Sequence, residues 1–295
     1  MQVVGTRIVL RAVALTAVGL PLAGCGEGVL APHGPIGGAE LTILLDATAI
    51  MLAVVIPVIL LTAAFAWWFR ADNTRARYLP TWEYSGRIEM ITWSIPTLVI
   101  VFLGGIAWIS SHDLDPPRAI EAATAPLGAA PLEVEVVSLD WKWLFIYPDQ
   151  AIATVNRLVV PVGVPVRFRL TSASVMNSFF VPELGSQIYT MPGMTTQLNL
   201  RADQAGVYKG ISAQFSGDGF SDMRFELATV PADQFASWVE GAKAQGRKLD
   251  PETYAILAQP SEAVVPATYA PVAEGLFEAI SGGRMSADQP AHQEH

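Results

Sequence analysis

"GISAQFSGDGFSDM", residues 210–223, has the compact, glycine-punctuated form of a loop built to hold something. Ser212 and Ser216 stand four apart with Gln214 between them, and Phe220 and Met223 follow at intervals of four and three. That spacing suits a metal loop, yet only the Met223 thioether could bind a metal, and weakly. The stretch keeps the frame of a site without its chemistry, late in a strand-rich segment.

Around this loop the chain runs to 295 residues, 52% hydrophobic and only 15% charged. Soluble domains carry about 25% charged residues, so the shortfall points to membrane segments. A formal net charge of −9 argues against a nucleic-acid partner, which would favour a basic face. The single cysteine excludes an intrachain disulfide and any cysteine-based metal cluster.

That cysteine closes a stretch with the layout of a secretory signal. Arg7 and Arg11 precede an apolar run that ends "LAGC", residues 22–25. The ending resembles a bacterial lipobox, which implies cleavage before Cys25 and acylation there, palmitate being one such group. An uncleaved signal anchor with a chance cysteine is the alternative. Acyl chains add about 0.8 kcal/mol per buried CH₂, so several would hold this end at a membrane surface.

Two apolar stretches follow. "ATAIMLAVVIPVILLTAAFAWWF" (47–69) is uncharged and long enough for a bilayer that needs about 20 residues, with Pro57 as a tolerated kink. "MITWSIPTLVIVFLGGIAWI" (90–109) is the second. Trp67, Trp68, Trp93 and Trp108 lie near the ends, where an aromatic belt belongs. A buried soluble hairpin is the competing reading. The connection holds Arg70, Arg75, Arg77 and Arg87, whereas residues 26–46 hold no Lys or Arg. The positive-inside rule therefore puts the connection in the cytoplasm, and both Cys25 and everything past residue 110 in the periplasm. Glu89 stands one position before the second span; it is either functional or an interfacial group snorkelling into water.

From residue 132 the pattern becomes short alternating runs. "LEVEVVS" sets Leu132, Val134 and Val136 against Glu133 and Glu135, and "PVRFRLT" sets Val166, Phe168 and Leu170 against Arg167 and Arg169. Further strands are predicted near 141–147, 157–160, 174–181, 187–191, 194–200, 206–213 and 223–230, giving a sandwich or barrel of about 100 residues. The expected organisation is a signal peptide (1–24), a lipidated N-terminus (25–46), a transmembrane hairpin (47–110, spans about 47–69 and 88–110) and a linker (111–131). A β-domain (132–230), C-terminal helices (231–260) and a flexible tail (261–295) complete it. The fold class is thus membrane-anchored α+β. With no histidine between residues 113 and 292 and no cysteine, the β-domain lacks the means for a Ser-His-Asp triad, a cysteine nucleophile, a zinc site or a blue-copper site. Alone it reads as a binding or scaffolding module.

Taken together, two spans and a β-domain with "DWKWLFIYP" (140–148), "VMNSFFVPELGSQIYTMPG" (175–193) and the 210–223 loop resemble subunit II of the haem–copper terminal oxidases. The resemblance covers residues 25–245 and implies a cupredoxin-like β-domain. In the cytochrome c oxidase branch that domain holds a dinuclear copper centre. Carried over by position, its ligands fall on Asn177, Ser212, Gln214, Ser216, Phe220 and Met223, of which only Met223 keeps the family's ligand type. The resemblance therefore implies that copper is not bound here, as in the quinol-oxidising branch, and the lipobox fits bacterial cytochrome bo-type ubiquinol oxidases. It further implies that haem, copper, the quinol site and dioxygen reduction belong to subunit I, with this chain binding no cofactor. The implied partners are subunit I, small membrane subunits and the lipid bilayer, with ubiquinol as the complex's substrate and no cytochrome c. The implied location is the bacterial inner membrane. "RIEMITWSIP" (87–96) matches the segment whose glutamate lies at the cytoplasmic mouth of a proton-uptake path, so Glu89 takes that role. Trp141 and Trp143 lie in the block near the cytochrome c docking surface of the copper branch; here they read as core or subunit-contact aromatics. One rival is a copper-bearing cytochrome c oxidase subunit, contradicted by Asn177, Ser212, Ser216 and Phe220. The other is a free-standing cupredoxin-like lipoprotein acting as a copper chaperone or assembly factor, with Met176, Met191, Met194 and Met223 its only soft ligands in the domain.

Overall fold

The computed structural model describes residues 28–77, 79–121 and 130–283. Cys25, the expected signal peptide and the final residues 284–295 lie outside them. The two apolar runs form α1 (Pro35–Trp68) and α2 (Gly86–Asp113), both long and apolar enough to cross a membrane. No side chain in their most apolar windows is buried. Thr62 and Thr97 each hydrogen-bond the carbonyl four residues back, at 2.7 Å, which satisfies a hydroxyl in an apolar surrounding. With 34 residues, α1 is about 51 Å long against a hydrocarbon core of about 30 Å. It starts well before the uncharged run, at Pro35, whose fixed φ suits a first helical position; Glu40 and Asp46 interrupt the apolar run without interrupting the helix.

Among the described residues, 28–39, 116–121 and 130–283 form a separate unit. Its strands are β1 (Leu132–Leu139), β2 (Lys142–Tyr147), β3 (Ile152–Val155), β4 (Arg157–Pro161), β5 (Val166–Ser172) and β6 (Asn177–Phe180). β7 (Gln187–Thr190), β8 (Thr196–Leu200), β9 (Gly206–Ser212), β10 (Arg224–Val230), β11 (Arg247–Leu249) and β12 (Ala267–Val272) follow. Three helices join them: α3 (Ala232–Gln245), α4 (Pro251–Leu257) and α5 (Leu276–Ser281). A seven-stranded sheet runs β11-β12-β3-β2-β1-β5-β8 and a five-stranded sheet runs β4-β10-β9-β6-β7.

Alternation decides which side chains meet between the sheets. Val134 and Val136 on β1, Phe168 and Leu170 on β5, and Trp143, Phe145 and Tyr147 on β2 share one buried cluster with Phe179 and Phe225 of the other sheet. Phe179 and Phe225 stack at 5.1 Å, and Trp143 meets both edge-on at 5.6 and 5.7 Å. Such pairs add about 0.5–1.5 kcal/mol each to their area burial. The Tyr147 hydroxyl accepts from Val159 N at 2.8 Å and donates to Val159 O at 3.0 Å, joining β2 to the edge strand β4.

The opposite face of the seven-stranded sheet is also covered, and here one expectation is corrected. Residues 261–295 were predicted as a flexible tail, yet 267–272 is a strand pairing with β3 and 276–281 is a helix. Tyr254, Tyr269, Leu276, Phe277 and Ile280 pack on Val137, Leu139, Leu144 and Ile146. Alternation alone puts the charged positions of β1 and β5 on a water-facing side, yet Glu135 is 6% exposed, because this cover lies over it. Asp233, in the first turn of α3, makes no cap; the N-cap position is Pro231.

Two segments flanking the helices are pinned to this unit. Asn199 Nδ2 donates to Pro117 O at 2.8 Å and Asn199 N to Pro116 O at 2.9 Å, so the start of the predicted linker is held. His33 N donates to Glu183 O at 2.7 Å and Asp203 N to His33 O at 2.8 Å. Gly34 permits this approach, since a Cβ there would lie 2.2 Å from the Arg201 carbonyl oxygen.

Candidate functional site

The 210–223 loop joins β9 to β10, and its frame comes from backbone pairing. Ser212 ends β9 and stands opposite Phe179 of β6, which begins at Asn177. Ser212 N donates to Met223 O at 3.2 Å and Ala213 N to Ser178 O at 3.0 Å, closing the loop on both neighbouring strands. Within it Asp218–Asp222 form a 3-10 turn, entered through Gly217 at φ +108°. The Trp141 indole N–H donates to Ser216 O at 2.9 Å. Its ring fills the space beside Gly219, where a Cβ would stand 2.6 Å from ring carbons. Trp141 thus supports the loop, while Trp143 is fully buried in the aromatic core.

Four of the six candidate positions are brought together. The Ser212 hydroxyl donates to Asn177 Oδ1 at 3.1 Å, with Gln214 O a second acceptor at 3.3 Å. Asn177 Nδ2 donates to Val175 O at 3.2 Å, and Ser216 Oγ lies 4.0 Å from Met223 Sδ. Asn177, Ser212 and Met223 are buried. Gln214 joins this network through its backbone carbonyl, and Phe220 pairs edge-on with the exposed Phe215 at 5.6 Å. The site is two separate side-chain pairs, Ser212 with Asn177 and Ser216 with Met223, within a loop closed by backbone bonds. An amide, two hydroxyls and one thioether do not fit a dinuclear copper centre, which needs thiolate and imidazole ligands. Among the described residues no group of three or more His, Cys, Asp or Glu side chains could hold a metal ion.

Glu89 is exposed in the first turn of α2, where a carboxylate sits favourably against the helix dipole. Cys25 lies outside the described residues.

Two clusters escaped the reading of the sequence. Lys142, 1% exposed, donates to Gln259 O at 2.7 Å, Ser261 Oγ at 2.6 Å and Asp140 O at 3.0 Å, tying the cover to β2. Burial pushes its ammonium below the usual lysine range, with Asp140 pulling the other way. Glu135 meets Arg169 at 2.7 Å, directly opposite it in the parallel β1–β5 pairing. The signal available for both was "KWLFIY": a strand of apolar residues on both faces is a strand covered on both faces.

The chain matches the family model described as cytochrome c oxidase subunit II, periplasmic domain, over residues 146–230, and the COX aromatic-rich motif over 243–284. The second match spans the cover that carries Tyr254, Tyr269 and Phe277. The chain is 51% identical to ubiquinol oxidase subunit 2 of Acetobacter aceti, over 88% of this chain and 84% of that one. It is 49% identical to cytochrome bo(3) ubiquinol oxidase subunit 2 of Pseudomonas aeruginosa, over 88% and 77%. It is 34% identical to quinol oxidase subunit 2 of Bacillus cereus, over 81% of each.

Proposed function

The chain belongs to the ubiquinol oxidase subunit 2 family, with a cupredoxin-like domain behind two apolar helices, and from that premise we propose that it serves its complex without carrying electrons. The complex oxidises ubiquinol and reduces dioxygen to water while pumping protons. Haem and copper reside in the partner subunit I, and this chain stabilises and orients that subunit. The carrying observation is the Ser212–Asn177 hydrogen bond beside the buried Met223: two positions that would ligate copper are occupied by an amide and a hydroxyl that bond each other. An electron route through the domain needs a redox centre, and these side chains supply none. Cytochrome c therefore has no reason to dock here.

The remaining assignments follow the same reading. Cys25 bears the lipid anchor; the two helices cross the inner membrane with the arginine-rich connection in the cytoplasm and the β-domain in the periplasm. Glu89, at the start of α2 on the cytoplasmic side of this topology, accepts protons at the mouth of an uptake path.

The test is metal analysis and visible spectroscopy of the complex purified through a tag on this chain. Haem with one copper per complex, no near-infrared band of a dinuclear copper centre and ubiquinol-dependent oxygen uptake are expected. Purification of this chain without haem, or a second and third copper per complex, would overturn the proposal.

A further inference from the structure

Arg169 is shared between two elements. Its Nη1 lies 2.7 Å from Glu135 Oε1 on β1 and 3.2 Å from Glu278 Oε1 on α5, and its guanidinium stands 4.9 Å over the Phe277 ring. This cluster lines a cavity of about 550 Å³. Around the cavity stand Glu133 from β1, Asp149 from the β2–β3 turn and Glu274 from the approach to α5; the residue opposite Glu135 on β2 is the uncharged Ile146. The lining thus holds five carboxylates (Glu133, Glu135, Asp149, Glu274, Glu278) against one guanidinium. Of the five, Glu135 is the buried one.

We propose that Glu135, Arg169 and Glu278 form a pH-responsive latch that fastens α5 to the outer face of the seven-stranded sheet, tight when Glu135 is protonated and slack when it is ionised. A protonated Glu135 leaves Arg169 to Glu278 and removes one negative charge from the cavity. An ionised Glu135 competes with Glu278 for a single guanidinium and repels it. Burial, then the Glu278 charge, push the Glu135 carboxyl up to about 7, with Arg169 opposing and Glu133 adding to the rise. A carboxyl raised in the fold favours the folded contact at low pH and loses that contribution as pH rises through the folded value. What the latch controls is the burial of Leu276, Phe277 and Ile280, the three α5 side chains lying on the sheet.

The test is amide hydrogen exchange on the full chain, extracted with its partner subunits, read at residues 276–281 and referenced to the β1 and β5 amides. Between about pH 4.5 and about pH 7, protection of α5 relative to that reference should fall about ten-fold, with a midpoint between the two and a plateau above. Glu135→Gln should abolish the step. A pH-independent α5 in the unmutated chain, or a step that persists in Glu135→Gln, would overturn the latch. Where Glu135→Gln yields no folded chain, Glu278→Gln at the exposed end serves instead: removing the like charge should move the midpoint to lower pH, and an unmoved midpoint overturns the proposal equally.

Discussion

On its inner face the seven-stranded sheet meets aromatic rings; on its outer face it meets a strap of chain, residues 247–281, held by apolar contacts and by buried charge. The inner contact is ring on ring, Trp143 against Phe179 and Phe225. The outer contact sets Tyr254, Phe277 and Ile280 beside two groups that water would otherwise solvate, the Lys142 ammonium and the Glu135–Arg169 pair. Non-directional burial fills a face, whereas charge fixes where the covering segment lies and under what conditions it stays.

The comparison breaks most visibly if the strap is cut. A chain stopped after residue 266 loses β12 and α5 and uncovers Val137, Leu144 and Ile146. It should fail to accumulate as folded protein, read as loss of the shortened chain's band from the extracted membrane fraction. Next in size, Phe179→Ala should destabilise by about 3–5 kcal/mol, and Phe277→Ala by less, since the strap can collapse toward the sheet. Thermal unfolding followed by tryptophan fluorescence ranks the two, and equal losses would erase the distinction between the faces. Lys142→Met should cost about 1–2 kcal/mol: it orphans carbonyl acceptors but removes a buried charge. The loss should be concentrated in faster amide exchange at residues 259–261.

Of the same order is the effect of pH. Relative to Glu135→Gln, the unmutated protein should lose about 1–3 kcal/mol of stability as pH rises from about 4.5, the ordinary carboxyl value, to about 7. Above that the two melting curves should run parallel. A gap that opens on acidification instead would reverse the sign argued for Glu135. Last, Ser212→Ala should cost about 1 kcal/mol, the worth of one hydrogen bond to Asn177, and leave oxygen uptake unchanged. A large loss of turnover would make that loop functional after all.

How much of this was legible follows from how many faces each strand buries. β1 and β5 announced their inner residues by alternation, and the 210–223 loop announced its frame by spacing. The same alternation misled at Glu135 and Arg169, since charged residues every second position describe a water-facing surface only when nothing lies over it. β12 was hidden because "ATYAPV" is short and carries Pro271, which demotes a run to an edge or a coil. β3 was hidden because four residues, "IATV", give too few repeats to set a period. The candidate site was legible as a set of positions, but its inner bonding was not. That the Ser212 hydroxyl would turn to Asn177 depends on β6 and β9 being neighbours in space, 35 residues apart in the chain.

The Tyr147 hydroxyl, which both accepts from and donates to Val159, has a consequence for how the molecule behaves among its own copies. β4 is an outermost strand, and an open row of backbone groups there is a template on which another chain can add as a further strand. By occupying the outward N–H and C=O of Val159, the tyrosine spends the central rung of that template inside its own domain. Val159 is itself buried, so a phenylalanine in place of Tyr147 would keep nearly all the packing but leave that N–H and C=O without partners, and the defect would surface as a loss of about 1–3 kcal/mol before any other chain could reach the rung.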